Sequence, residues 1–143
     1  MTSTALFVDT WGWLALRDRR ENRHAETRRA LGRFTVAKAR IITTDFVLDE
    51  TFTLLFRRLP FPEAKTSMET LTAAIDKGEV ISIPISSARF RAAQLLRLKF
   101  KDKPDISFPD LCSIVVMREL GIRKVLTEDE HFEHVALGFE RVP

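Results

Sequence analysis

The sequence predicts an α/β fold, a mostly parallel sheet covered by helices on both faces. Three observations predict it. Short runs rich in Val, Ile, Leu and Phe alternate with longer stretches of helical period. Gly78 and Gly121 stand where a helix ends just before a strand. No repeat or linker interrupts the alternation, so residues 1–143 read as one domain. In chain order the first strand is Ala5–Val8, an apolar run stopped by Asp9. Helix-period stretches follow at Trp11–Arg19 and Arg23–Ala39, then a strand at Arg40–Thr43. The helices Asp45–Leu59 and Glu63–Lys77 lead through Gly78 to the strand Val80–Ile83. The helices Ser87–Phe100 and Phe108–Leu120 lead through Gly121 to the strand Ile122–Leu126, and Phe139–Val142 is the last strand.

A chain of 143 residues, 45% hydrophobic and 30% charged, has the balance of a globular protein with a real core. The single Cys112 excludes an intramolecular disulfide and a Cys-based zinc cluster. It also favours a reducing compartment. Ala5–Val8 has no basic lead-in of a signal peptide, and no run has the roughly 18 apolar residues of a membrane helix. A cytoplasmic protein without membrane attachment is expected. The net charge of +3 is a sum of opposites. Residues 17–40 hold nine Lys or Arg against three acids, a net of +6, and residues 89–103 hold six against one, a net of +5. The remainder therefore carries −8, which sets two basic stretches beside an acidic remainder and suits a phosphate-bearing ligand.

In parallel α/β folds the active site lies outside the carboxyl ends of the strands. Four acids belong there. Asp9 follows the first strand, Asp129 follows the fourth, Glu50 lies in the second turn of the helix after Thr43-Thr44, and Asp110 opens a helix. Clustered carboxylates repel and hold their protons unless a cation neutralises them. Hard divalent ions such as Mg²⁺ or Mn²⁺ suit an oxygen-rich site, and a pair of them can clamp a phosphodiester. The ordinary alternatives are local. Asp9 or Thr10 could cap a helix, and Ser107-x-x-Asp110 and Thr127-x-x-Glu130 fit capping boxes. Glu50 is too deep in its helix to cap it. It sits at the edge of an apolar arc of about 200° formed by Val47, Leu48, Phe52, Leu54, Leu55, Phe56 and Leu59, so partial burial is expected.

The chain lacks a Walker phosphate loop, a Gly-x-Gly-x-x-Gly motif and a Gly-x-Ser-x-Gly elbow. A haloacid-dehalogenase-type phosphatase would need a second Asp two residues after Asp9, where Trp11 stands. Cys112 has no papain-like surroundings and reads as a small buried residue. His131 and His134 read as surface imidazoles. Trp11 and Trp13 offer rings that could stack on a base, although packing the first helix is their ordinary use.

The segments Phe7-Val8-Asp9-Thr10, Thr43-Thr44-Asp45-Phe46-Val47-Leu48-Asp49-Glu50, Ser107-Phe108-Pro109-Asp110-Leu111-Cys112-Ser113 and Leu126-Thr127-Glu128-Asp129-Glu130-His131-Phe132 carry a resemblance. In this order and spacing the chain resembles a PIN-domain ribonuclease, and looks most like the VapC-type toxins of toxin–antitoxin pairs. The resemblance spans essentially the whole chain. It implies a PIN-like three-layer α/β/α sandwich with Asp9, Glu50, Asp110 and Asp129 binding Mg²⁺ or Mn²⁺, and with Thr10, Ser107 and Thr127 orienting those acids. It implies an endoribonuclease that leaves 3′-hydroxyl and 5′-phosphate ends, a homodimer, and a cognate antitoxin whose helical segment lies in a groove near the Glu50 helix. That contact would account for the excess width of the helix's apolar arc; burial within its own domain is the simpler alternative. Asp105 and His131 fall in or beside matching segments without a fixed role. A housekeeping RNA-processing enzyme and a non-catalytic RNA-binding module are the alternatives.

Overall fold

Leu6, Phe7 and Val8 are all fully buried in the computed structural model, which describes residues 4–135 and 137–143. Successive strand residues point to opposite faces, so β1 (Ala5–Val8) is covered on both sides. It is the centre of a five-stranded sheet with β2 (Arg40–Thr44), β3 (Val80–Ile83), β4 (Lys124–Leu126) and β5 (Glu140–Val142). The order is β3-β2-β1-β4-β5, and every pairing is parallel. The chain winds outward from β1 through β2 to β3, then returns to the other side of β1 for β4 and β5. The crevice where the direction of winding reverses therefore lies between β1 and β4, the position at which open α/β sheets bind ligands.

The helices are α1 (Thr10–Arg17), α2 (His24–Val36), α3 (Asp45–Arg58), α4 (Phe61–Asp76), α5 (Ser87–Lys99), α6 (Phe108–Leu120) and α7 (His131–His134). This is the α/β architecture expected from the sequence, with α7 in addition. Helix ends shift for local reasons. Asp18 turns the chain after α1 by accepting the Arg20 amide at 3.0 Å. Lys38, at φ 59°, closes α2 early. Pro62 fits the first turn of α4, which needs no amide there, so this helix begins before Glu63. Gly121, at φ 68°, ends α6 as expected, but the Ile122 amide returns to the Met117 carbonyl at 2.8 Å, and β4 starts only at Lys124.

Helix α1 lies unusually close to the sheet. A Cβ on Gly12 would stand 2.6 Å from the Leu126 carbonyl oxygen and 2.9 Å from a Val8 methyl, so only glycine permits this approach. Trp13 locks the same corner. Its indole N–H donates to Thr43 Oγ1 at 3.2 Å, and that hydroxyl donates to the Val8 carbonyl at 3.0 Å.

The wide apolar arc of α3 is taken up within the chain. Val47 joins the main core, while Leu55 and Leu59 join Leu14 and Ala64 in a second small core between α1, α3 and α4. The simpler account of that arc, burial by its own domain, therefore holds for these residues.

Candidate active site

Asp9 is the first residue beyond β1, and its amide still reaches the Leu126 carbonyl of β4 at 3.2 Å. It stands at the N-cap of α1, yet its side chain makes no capping bond. Instead its Oδ2 accepts the hydroxyl of Thr127 at 3.0 Å. The same Thr127 oxygen accepts the backbone amide of Asp129 at 3.0 Å. One buried hydroxyl, with one proton to give and lone pairs to share, thus fixes two acids on neighbouring strand ends. The Thr127-x-x-Glu130 segment is accordingly no capping box: Glu130 precedes α7 without a side-chain cap bond.

Asp110 comes from the third direction. Arg97 clamps the preceding loop, donating to the carbonyls of Phe100, Lys103 and Ile106 at 2.6–2.8 Å. Ser107 then caps α6 by accepting the Asp110 amide at 3.2 Å, and also hydrogen-bonds the Asp110 carboxylate. Here the capping serine is real and serves the acid as well.

The electrostatics of the cluster are unfavourable when it stands alone. Burial pushes the Asp9 carboxyl up to about 6, against opposing hydrogen bonds from the Thr10 amide and the Thr127 hydroxyl, and the charges of Asp129 and Glu50 add to the rise. Asp110 is held well above the usual carboxylate range, first by burial, then by the charges of Asp9 and Asp129 and by a hydrogen bond to Asp129. Both carboxyls are thus raised by neighbouring negative charges as well as by burial. Oxygen or nitrogen atoms of Asp110, Asp129 and His131 all lie within 4.8 Å of one another. Such a donor set fits a hard divalent cation, with His131 as an added nitrogen ligand.

The structure brings Asp9, Asp110 and Asp129 together, with Thr127 and Ser107 in orienting positions. Thr10 is buried and acts on Asp9 through its backbone amide rather than its hydroxyl. Glu50 corrects an expectation. It is exposed rather than partly buried, and its charge still reaches Asp9. His131, which the sequence left without a role, is half-buried with Nδ1 3.0 Å from Asp129 Oδ1, and its amide donates to that same oxygen at 2.8 Å. The spacing Asp129-x-His131 directly after a strand was the available signal. Asp105 and His134 are exposed. Cys112 is fully buried, and burial pushes its thiol up to about 11, the state of an inert packing residue. Trp13 is buried, and Trp11 is half-buried beneath the Arg23 guanidinium at 5.7 Å.

A large cavity lies elsewhere. It is a groove of about 1320 Å³ between α1–α2 and α3–α4, floored by Leu16, Leu31, Leu55 and Leu71 and edged by Arg17 and Arg28. Part of the first basic stretch thus borders this groove rather than the acids. In the second, Arg89 is paired with Glu119 at 2.8 Å and Arg97 is used internally.

The PIN-domain family profile matches residues 6–137. The 23S rRNA-specific endonuclease VapC20 of Mycobacterium tuberculosis, in the CDC 1551 and H37Rv strains alike, is 31% identical over 96% of this chain and 97% of its own length. The chain belongs to the PIN-domain family, as a VapC-type ribonuclease. The crystal structure of Mycobacterium tuberculosis VapC20, described as a sarcin–ricin-loop-cleaving toxin, superposes with a TM-score of 0.78 at 28% identity. It covers 97% of this PIN domain and all of that chain. DNA-bound VapBC from Salmonella typhimurium shares the fold, with a TM-score of 0.67 at 12% identity over 96% of each chain. The family resemblance seen in the sequence thus holds over nearly the whole length.

Proposed function

We propose that this PIN domain is a Mg²⁺- or Mn²⁺-dependent endoribonuclease, the toxin of a toxin–antitoxin pair, acting in the cytoplasm through one nuclease domain over residues 1–143. The observation that carries the reading is the juxtaposition of Asp9, Asp110 and Asp129 at the crevice between β1 and β4, with Asp9 and Asp110 held above their ordinary pKa first by burial and then by neighbouring acids. Asp9, Asp110 and Asp129 would hold the cation, with His131 beside Asp129 and Glu50 at the rim. When bound, the cation supplies an acidified water and positive charge at the phosphodiester. Thr127 and Ser107 keep the carboxylate oxygens aimed, and the burial of Asp9 shields one side of the site from bulk water. RNA is the substrate class, and the similarity to an endonuclease specific for 23S rRNA makes ribosomal RNA the first to examine.

The leucine-floored groove with its arginine edge supports a helical antitoxin segment as its occupant, with acids meeting Arg17 and Arg28. On α5, Leu95 and Leu98 are each 68% exposed, which supports a homodimer. No described helix is long and apolar enough to cross a membrane. Incubating the purified protein with ribosomal RNA should give discrete fragments with Mn²⁺ or Mg²⁺ and none with excess chelator. Cleavage that survives the chelator would overturn the metal-dependent reading.

A further inference from the structure

Three phenylalanine rings, two of them on the helices that carry Glu50 and Asp110, have no role in the chemistry above. Phe46 is in the first turn of α3, four residues and so about one helical turn before Glu50. Phe108 opens α6, two residues before Asp110. Phe90, in the first turn of α5, joins them. Its ring centre is 4.8 Å from that of Phe108 and 6.4 Å from that of Phe46. Core rings such as Phe7 and Phe132 are fully sealed, whereas Phe90 is 40% exposed. Because β2 and β3 lead into α3 and α5, the rings sit at the carboxyl edge of the sheet, on the β3 side of the acids.

The patch is fixed in place. Asp45 Oδ1 accepts the amides of Phe46 at 3.0 Å and Ile85 at 2.9 Å, tying the start of α3 to the loop that enters α5. Arg89 binds Glu119 of α6 and the Pro84 carbonyl, each at 2.8 Å, tying the first turn of α5 to both neighbours. A rigid, partly exposed ring costs little entropy to use in binding.

We propose that Phe90, backed by Phe46 and Phe108, is a stacking platform for an unpaired RNA base next to the scissile phosphate, and so helps choose which loop is cut. The proposal rests on the ribonuclease reading and adds a determinant of specificity to it. Single-stranded RNA presents bases with free π-faces, and aromatic side chains at a protein surface stack on them. The charge of the surroundings fits the same ligand. Exposed Arg91, a cation suited to a phosphate, follows Phe90 directly. The apolar face suited to a second copy is separate: Leu98 and Leu95 lie about 80° and 140° around α5 from Phe90.

The test uses the full chain carrying Asp9→Asn, so that RNA is bound without being cut, and a short single-stranded RNA containing 2-aminopurine. Fluorescence quenching reports stacking, and anisotropy reports affinity. Phe90→Ala and Phe90→Leu should each weaken binding about tenfold and abolish the quenching, while Phe90→Trp retains both. The molecular mass by light scattering should stay the same throughout. Equal binding and quenching by Phe90→Leu would overturn the platform while leaving the ribonuclease reading intact. A change of mass with unaltered RNA binding would do the same, by making the patch an interface between copies. A chain with Phe90 intact that binds no RNA would overturn both.

Discussion

Asp9→Asn should lower RNA cleavage by at least about a hundredfold and at the same time raise the melting temperature of the metal-free protein. The two effects have one cause. Burial, with the charges of Asp129 and Glu50 adding to it, pushes the Asp9 carboxyl up to about 6, so the folded chain resists its charge. The shift from 3.8 corresponds to about 3 kcal/mol at one pKa unit per 1.4 kcal/mol. Asparagine has nearly the same shape, can still accept the Thr127 hydroxyl, and carries no charge. It therefore removes the cost of burying a charge, along with the smaller repulsion, and stabilises the fold by several degrees at pH 8, at roughly 2–4 °C per kcal/mol for a chain of this size. It also removes the charge that would hold a cation, and even a positioning partner of a metal ligand commonly contributes tenfold or more. Activity and stability measured side by side check the account. A variant that loses both would mean that Asp9 is simply structural.

The second large effect is on stability against pH in excess chelator. Asp9 and Asp110 both have raised pKa values in the folded state, so the folded chain binds protons more tightly than the unfolded one. Stability must then fall as pH rises through and above the ordinary carboxylate value of 3.8, and for Asp9 the loss is complete once pH passes about 6. Asp110 moves in the same direction and extends the decline upward. Paired acids such as Asp18 with Arg20 and Glu119 with Arg89 have lowered pKa values, and their contribution is lost only in more acid solution. Between pH 5 and pH 8 the metal-free melting temperature should thus drop by several degrees, most of which Mn²⁺ restores at pH 8. A profile that is flat, or that rises over this range, would contradict the arrangement of the acids.

Much of this was legible in the residues. The runs at Ala5–Val8 and Val80–Ile83 are strands at those boundaries, and Gly78 and Gly121 adopt the positive φ that ends a helix. Asp9 and Asp129 could be placed because each follows a strand that a parallel sheet sends to the same edge. What stayed hidden depends on three dimensions. The helix of residues 131–134 is too short to show a period. The exposure of Glu50 depends on how α3 rolls against its neighbours, which a helical wheel does not contain. The double use of the Thr127 hydroxyl depends on the register between β1 and β4, where Val8 faces Leu126. Charge along the chain located the basic stretches but not their uses, since Arg97 holds a loop and Arg28 edges the groove.

The central claim is that Asp9, Asp110 and Asp129 form a cation site, and direct titration of Mn²⁺ into the intact protein tests it without RNA. Calorimetry at pH 8 should show saturable binding that weakens toward pH 5, as protons compete for Asp9 and Asp110, and that is lost in Asp9→Asn. No binding at millimolar Mn²⁺, or equal binding by the wild type and Asp9→Asn, would contradict it.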